Sequence, residues 1–253
     1  MRALELMRET LSRGIYILIA HVSWFAIYAI FLIVYDPRDW GFQSFLFIWA
    51  GCLLPLFLSA GIFGNDVASG RICVLMTKPF WAGELYIYRL LGLSLQAAIH
   101  LMIAGFGLMI IHSLTGLGNL DNLALWLFSS WLLFNTWAAV SSSLSIVISR
   151  AYNCLFLILA IISINILFNI LKYDHSDDFV TKVMKVLTKY VFPPFGILMK
   201  LSKGEYGEDS LVVGKYQLMK GLACTVHCFM LTLFYGTIGV LMLSKRQFFS
   251  RSN

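Results

Sequence analysis

Six runs of apolar residues dominate this chain, at 14–35, 42–63, 85–111, 123–149, 151–171 and 221–243. Each meets the length of about 20 residues that an α-helix needs to cross the hydrocarbon core of a bilayer. In lipid every backbone N–H and C=O must be satisfied within the protein, which leaves helices or closed barrels as the spanning structures. Runs this long, without the alternation that marks barrel strands, predict helices. The expectation is an all-α integral membrane protein with six transmembrane helices in one domain over 1–253. Composition agrees: 59% of residues are hydrophobic and 13% charged, against about 25% charged in soluble domains. The first run is too long for a signal-peptide core and no small-residue cleavage site follows it, so it is read as a retained span.

The segments between the spans carry most of the remaining information. Residues 1–13 place Leu4, Met7 and Leu11 on one helical face and Arg2, Glu5, Glu9 and Arg13 elsewhere, with Glu9 and Arg13 forming an i,i+4 pair. This pattern predicts an amphipathic helix lying in the interface. Residues 172–220, before the last span, open with DHSDD and continue with Val180, Val183, Leu187 and Val191 at helical spacing up to Pro193-Pro194. They predict a helical outer segment, interfacial or re-entrant, capping one end of the bundle. With the N-terminus inside, the short cytoplasmic segments hold most of the Arg and Lys, while the two short outer loops hold only Arg38. The positive-inside rule then places both termini in the cytoplasm, although eight Lys in 172–220 pull the other way.

Catalytic signatures are missing. The sequence has no phosphate-loop motif, no H-E-x-x-H, no G-x-S-x-G, and no Asp or Glu inside the expected spans. An enzyme, and an intramembrane enzyme in particular, is therefore not expected. The net charge of +6 follows membrane topology rather than nucleic-acid binding, for which no motif is present. Cys224, His227 and Cys228 approach metal-ligand spacing, but no fourth ligand is in view and the expectation is packing, with no metal and no resident cofactor. Gln96, His100, Asn135, Ser142, Asn165 and Asn169 are the polar residues within spans that could line a pathway. Interhelical hydrogen bonding is the competing role for all six.

The stretch GNDVASGRICVLMTKPF, at 64–80, is the most specific feature. Asn65 or Asp66 can cap a helix, and Pro79 ends it by disfavouring helical geometry at Lys78. Ala68, Ile72, Leu75 and Met76 share one face, directed at the bundle. Asp66, Ser69, Gly70 and Cys73 share another, directed at the cytoplasm, where small side chains allow another protein to approach closely. The prediction is a short cytoplasmic helix parallel to the membrane within 64–82.

With its continuation to Arg89, this stretch resembles the signature region of type-2 ABC-exporter permeases. That pattern has an acidic residue (Asp66), a small residue and Gly (Ser69-Gly70), an apolar stretch (72–76), a Pro (Pro79) and a basic residue opening the next span (Arg89). An amphipathic N-terminal helix, six spans and outer helices before the last span resemble the same family along the whole length. Many members carry Glu where this chain has Asp66. The resemblance implies the membrane subunit of a bacterial-type inner-membrane transporter, paired with a second permease copy or paralogue. It also implies separate ABC ATPase subunits, with ATP and Mg bound there and none in this chain. The coupling role would fall on Asn65, Asp66, Ser69, Gly70, Arg71, Cys73, Thr77 and Lys78. An alternative keeps the fold without transport: an ATPase-coupled scaffold or mechanical transmitter acting on a periplasmic partner through 172–220.

Overall fold

A computed structural model describes residues 9, 54–76, 81–116, 120, 122–173, 179, 182–184, 186, 191, 198 and 215–245. Seven helices are described there: α1 Leu54–Leu58, α2 Gly64–Ala68, α3 Arg71–Met76, α4 Ala82–Thr115, α5 Leu123–Leu144, α6 Arg150–Tyr173 and α7 Lys215–Lys245. No strand occurs among the described residues. The first expected span and most of the N-terminal helix lie outside them.

Three of these helices are long and apolar enough to cross a membrane: Ala82–Leu114, Leu123–Leu144 and Gly221–Lys245. Their side chains are arranged as a membrane demands. Along α4 the buried stripe contains Leu85, Arg89, Leu93, Gln96, His100, Ala104 and Leu108, at helical spacing. The opposite face is equally apolar but exposed, with Leu91, Leu95, Ile99, Met102, Phe106 and Ile110. Polar groups inward and large hydrophobes outward is the reverse of a soluble helix, and it suits a helix solvated by lipid. Helix α6 shows the same outer surface through Leu155, Phe156, Leu159, Ile162 and Ile166.

Helix α5 occupies the centre and contacts α1, α4, α6 and α7. Two of its hydroxyls are satisfied locally: Ser130 Oγ donates to the Trp126 carbonyl at 2.7 Å and Thr136 Oγ1 to that of Leu132 at 2.9 Å. Such back-bonding lets a polar residue sit in an apolar bundle without an orphaned group. Helix α4 runs antiparallel to α5, since Tyr86 Oη donates to Ala139 O while Trp131 Nε1 donates to Ser94 O. Helix α7 runs parallel to α5: Thr136 meets Cys228 and Ser143 meets Tyr235, with equal steps along both helices. Chain geometry also fixes the ends. Helix α4 ends at Thr115 and is capped by Gly116, whose φ of 67° is left-handed and whose N–H returns to His112 O at 2.8 Å.

Two expected boundaries shift. The second run was read as helical to Phe63, yet α1 ends at Leu58 and 59–63 form turns. Gly61 admits to these turns the Arg150 side chain, which lies 2.8 Å from where a Cβ would stand. The fourth run was read to Ser149, but α5 ends at Leu144. Helices α6 and α7 also take residues from both ends of the expected outer segment. Within that segment, the Val191 carbonyl accepts a bond from Tyr235 Oη at 2.7 Å. Leu198 is fully buried with Leu56, Trp126, Trp137, Leu157 and Cys224.

One junction ties three long helices together. Tyr86 Oη lies 2.9 Å from Ser143 Oγ, which donates to Tyr235 O at 2.8 Å. Gly239 makes room for it, since a Cβ there would fall on the Tyr86 ring and on Ser143 Oγ. Gly239→Leu is expected to cost about 1–3 kcal/mol by overpacking, read as a lower unfolding midpoint in detergent. Gly236→Ala is the control and should be tolerated, because the nearest atoms to its Cβ position are 3.9 Å away.

Candidate functional site

The turns at 59–63 leave backbone groups that no helix satisfies, deep in an apolar bundle, and side chains from three helices supply partners. Asn153 of α6 donates through Nδ2 to Ala60 O at 2.9 Å and to Ser141 O at 2.8 Å. Arg89 of α4 donates through Nη1 to Ile62 O at 3.1 Å. The Phe63 N–H donates to Ser145 Oγ, just past the end of α5, at 3.3 Å. Irregular backbone is tolerated at such depth where protein groups replace water.

Arg89 holds more than that carbonyl. Its Nη2 lies 2.5 Å from Asp66 Oδ2, with both side chains 2% exposed. Its guanidinium carbon sits 5.6 Å from the centre of the Phe63 ring, within cation–π range. Phe63 in turn stacks on Tyr86 with centroids 5.3 Å apart and planes 3° from parallel. One cation therefore gathers Ile62, Phe63 and Asp66, all from a single short segment, onto the start of α4.

Beyond Asp66 the chain emerges. Ser69 and Gly70 separate α2 from α3, and Gly70 has φ +68° with nothing within 4 Å of its Cβ position. Asn65, Ala68, Ser69, Gly70, Arg71 and Val74 are exposed, whereas Ile72 and Leu75 turn inward and are buried. Arg71 pairs with Glu9 at 2.8 Å, which brings Glu9 against this elbow. Arg13, the partner expected for Glu9, lies outside the described residues.

The eight residues expected to meet a partner thus divide. Asn65, Ser69, Gly70 and Arg71 are exposed together, and Cys73 is half-buried. Asp66 is not on the outward face: it is buried against Arg89. Nor does it cap the helix, since the N-cap position is Phe63, with no side-chain bond. The single helix expected here is two, because Gly70 takes a left-handed conformation that a continuous helix excludes. Thr77 and Lys78 lie outside the described residues.

Of the residues considered for a pathway, Gln96 and His100 lie on the buried stripe of α4, and Ser142 is buried in α5. Ser142 Oγ has no hydrogen-bond partner among the described residues. Asn135 turns its amide back on Trp131 O at 2.7 Å, a local role within α5. Asn165 and Asn169 belong to α6, with side chains outside the described set. Among the described residues no group of three or more His, Cys, Asp or Glu is placed to hold a metal ion. The sequence reading missed Asn153, Ser145 and the pairing of Asp66 with Arg89. Only the last left a signal: Arg89 is the sole Lys or Arg in its run, and a buried intramembrane cation calls for a named partner.

Comparison with known proteins finds no family model that matches the chain and no curated protein that matches it.

Asn153→Leu would remove the donor at Ala60 O and is expected to cost about 1–3 kcal/mol for the orphaned carbonyl, read as a lowered unfolding midpoint with helix content retained. At Gly70 the constraint is backbone and not space. Gly70→Val should destabilise by about 1–2 kcal/mol, and Gly70→Asn by less, since Asn visits left-handed geometry more readily. Equal midpoints for the two variants would show that the turn relaxes.

Proposed function

We propose that the chain is the membrane-spanning permease subunit of a type-2 ABC exporter, with six spans and both termini in the cytoplasm. In this reading it is a subunit of the bacterial-type inner membrane that couples ATP hydrolysis in a separate ATPase to movement of a substrate. The observation that carries the proposal is the elbow at Ser69-Gly70. It is an exposed, small-residue surface on an otherwise lipid-solvated bundle, and it is fastened at its base to α4 through Asp66 and Arg89. A surface meant only to connect two spans has no need of a buried ion pair at its root. A surface that receives force does.

The chemistry divides accordingly. ATP and Mg belong to the partner ATPase, and this chain supplies grip and lever. Two permeases, identical or paralogous, pair around a path, and closure of the ATPases moves the elbows and biases the pair between inward- and outward-open states. ATP can shift that balance only through a difference in affinity between the two states.

The test is purification of the tagged full-length chain from native membranes in mild detergent. An ABC-type ATPase should accompany the wild-type chain. Ser69→Trp should lower its recovery by about tenfold, a loss of about 1.4 kcal/mol in association, without changing the yield of the folded chain. A wild-type preparation that carries no such ATPase would overturn the reading.

A further inference from the structure

We propose that Arg89 is a positioning residue: it fixes the direction of the exposed elbow relative to α4, so that displacement of the elbow becomes displacement of the whole bundle. The inference rests on the permease reading for its purpose, but its geometry stands in the chain alone.

The anchors along this segment are unevenly distributed. Ala60 and the Phe63 amide are tied to Asn153 and Ser145, upstream of α2. Ile72 and Leu75 pack inward from α3, downstream of the break. Packing alone is non-directional. Between these anchors Asp66 makes a buried polar tie to the bundle, three residues before Ser69, and it ends on Arg89; Arg71 adds an exposed one to Glu9. The Arg fork is planar and its donors are fixed in direction. By gripping Ile62 O, the Phe63 ring and Asp66 together, it defines an angle as well as a distance.

A buried ion pair is a poor device for stability, because desolvation of two charges offsets most of their attraction, and apolar residues of similar size often do as well. It is a good device for specifying one geometry, since any other arrangement strands a charge in an apolar site. From Arg89 the constraint passes onward: Phe63 stacks on Tyr86, and Tyr86 reaches Ser143 and through it Tyr235. Helices α4, α5 and α7 are thereby referred to the same point.

The experiment measures distances between spin labels in the full-length chain in lipid nanodiscs, with its native cysteines replaced and no ATPase present. One pair joins Ser69 on the elbow to Met102 on the lipid face of α4. A control pair joins Met102 to Met230 on α7, both exposed. The unsubstituted background should give a single narrow distribution for each pair. Asp66→Asn should broaden the elbow pair into several distances and leave the control narrow. The double variant Asp66→Asn/Arg89→Gln, which strands no charge and so protects the fold, should do the same. An elbow pair that stays narrow in the double variant overturns the proposal, as does broadening of both pairs together, which would mark a structural role only. Because no ATPase takes part, this outcome is separate from the purification test of the permease reading.

Discussion

The contact on which the described structure turns is the ion pair between Asp66 and Arg89. A full positive charge at the start of a transmembrane helix, with 2% of its side chain exposed, is tolerable only if its donors are occupied. Within 62–66 Arg89 meets Ile62 O, the Phe63 ring and Asp66, and these contacts form where the second expected span stops being a helix. The turns at 59–63 exist at depth because Arg89, Asn153 and Ser145 accept the role that water plays for a surface loop. Remove the helix break, and Ile62 O would be committed to its own helix. Remove Arg89, and the break would leave a carbonyl and a carboxylate in apolar surroundings.

The polar ties collect at one end of the bundle. Tyr86, Ser143, Tyr235 and Gly239 join α4, α5 and α7 there, and Asn153 adds α6. At the other end, α4 and α5 meet through Leu101, Ala104 and Leu108 against Leu123, Leu127 and Trp131, which is packing of apolar side chains. In lipid such packing has no hydrophobic drive between helices, because the tails are as apolar as leucine. Close fit and hydrogen bonds therefore decide which helix pairs are held in one register. Tyr86, Ser143 and Gly239 supply them beside the elbow, and Trp131 on Ser94 O and Leu127 against Gly105 supply them farther along α4 and α5.

Much of this was legible in the sequence, and the limits are physical. Span length and apolarity foretold α4, α5 and α7 within a few residues, because the bilayer constrains length directly. Helical spacing foretold the inward faces of Ile72 and Leu75 but not Ala68, which was expected on the same face and is exposed on the far side of the Gly70 break. Asp66 misled because capping chemistry is local while its actual partner is 23 residues away along the chain. A carboxylate near the start of a helix suits a cap and an ion pair equally, and only tertiary placement separates them. Gly70 was visible as a small residue, but its left-handed φ, which splits the helix, leaves no mark beyond the identity of the residue. Asn153 and Ser145 gave no signal, since a polar residue at a span end reads as interfacial.

The elbow and the ion pair bear on each other in one further way. A surface that yields to a partner dissipates the displacement it receives, whereas one that passes it on must be soft nowhere between contact and lever. Here the exposed Ser69-Gly70 break would be the soft point if α2 and α3 were merely strung between spans. It is stiffened from both sides, by Asp66 on Arg89 before it and by Ile72 and Leu75 in the core after it. The same core cluster contains Leu54, Phe63, Tyr86, Phe134 and Leu243, drawn from the whole described length of the bundle's tied end. Close-packed interiors transmit strain. In the proposed permease reading, a push on the elbow passes through Asp66 and Arg89 and through Ile72 and Leu75 into this core cluster.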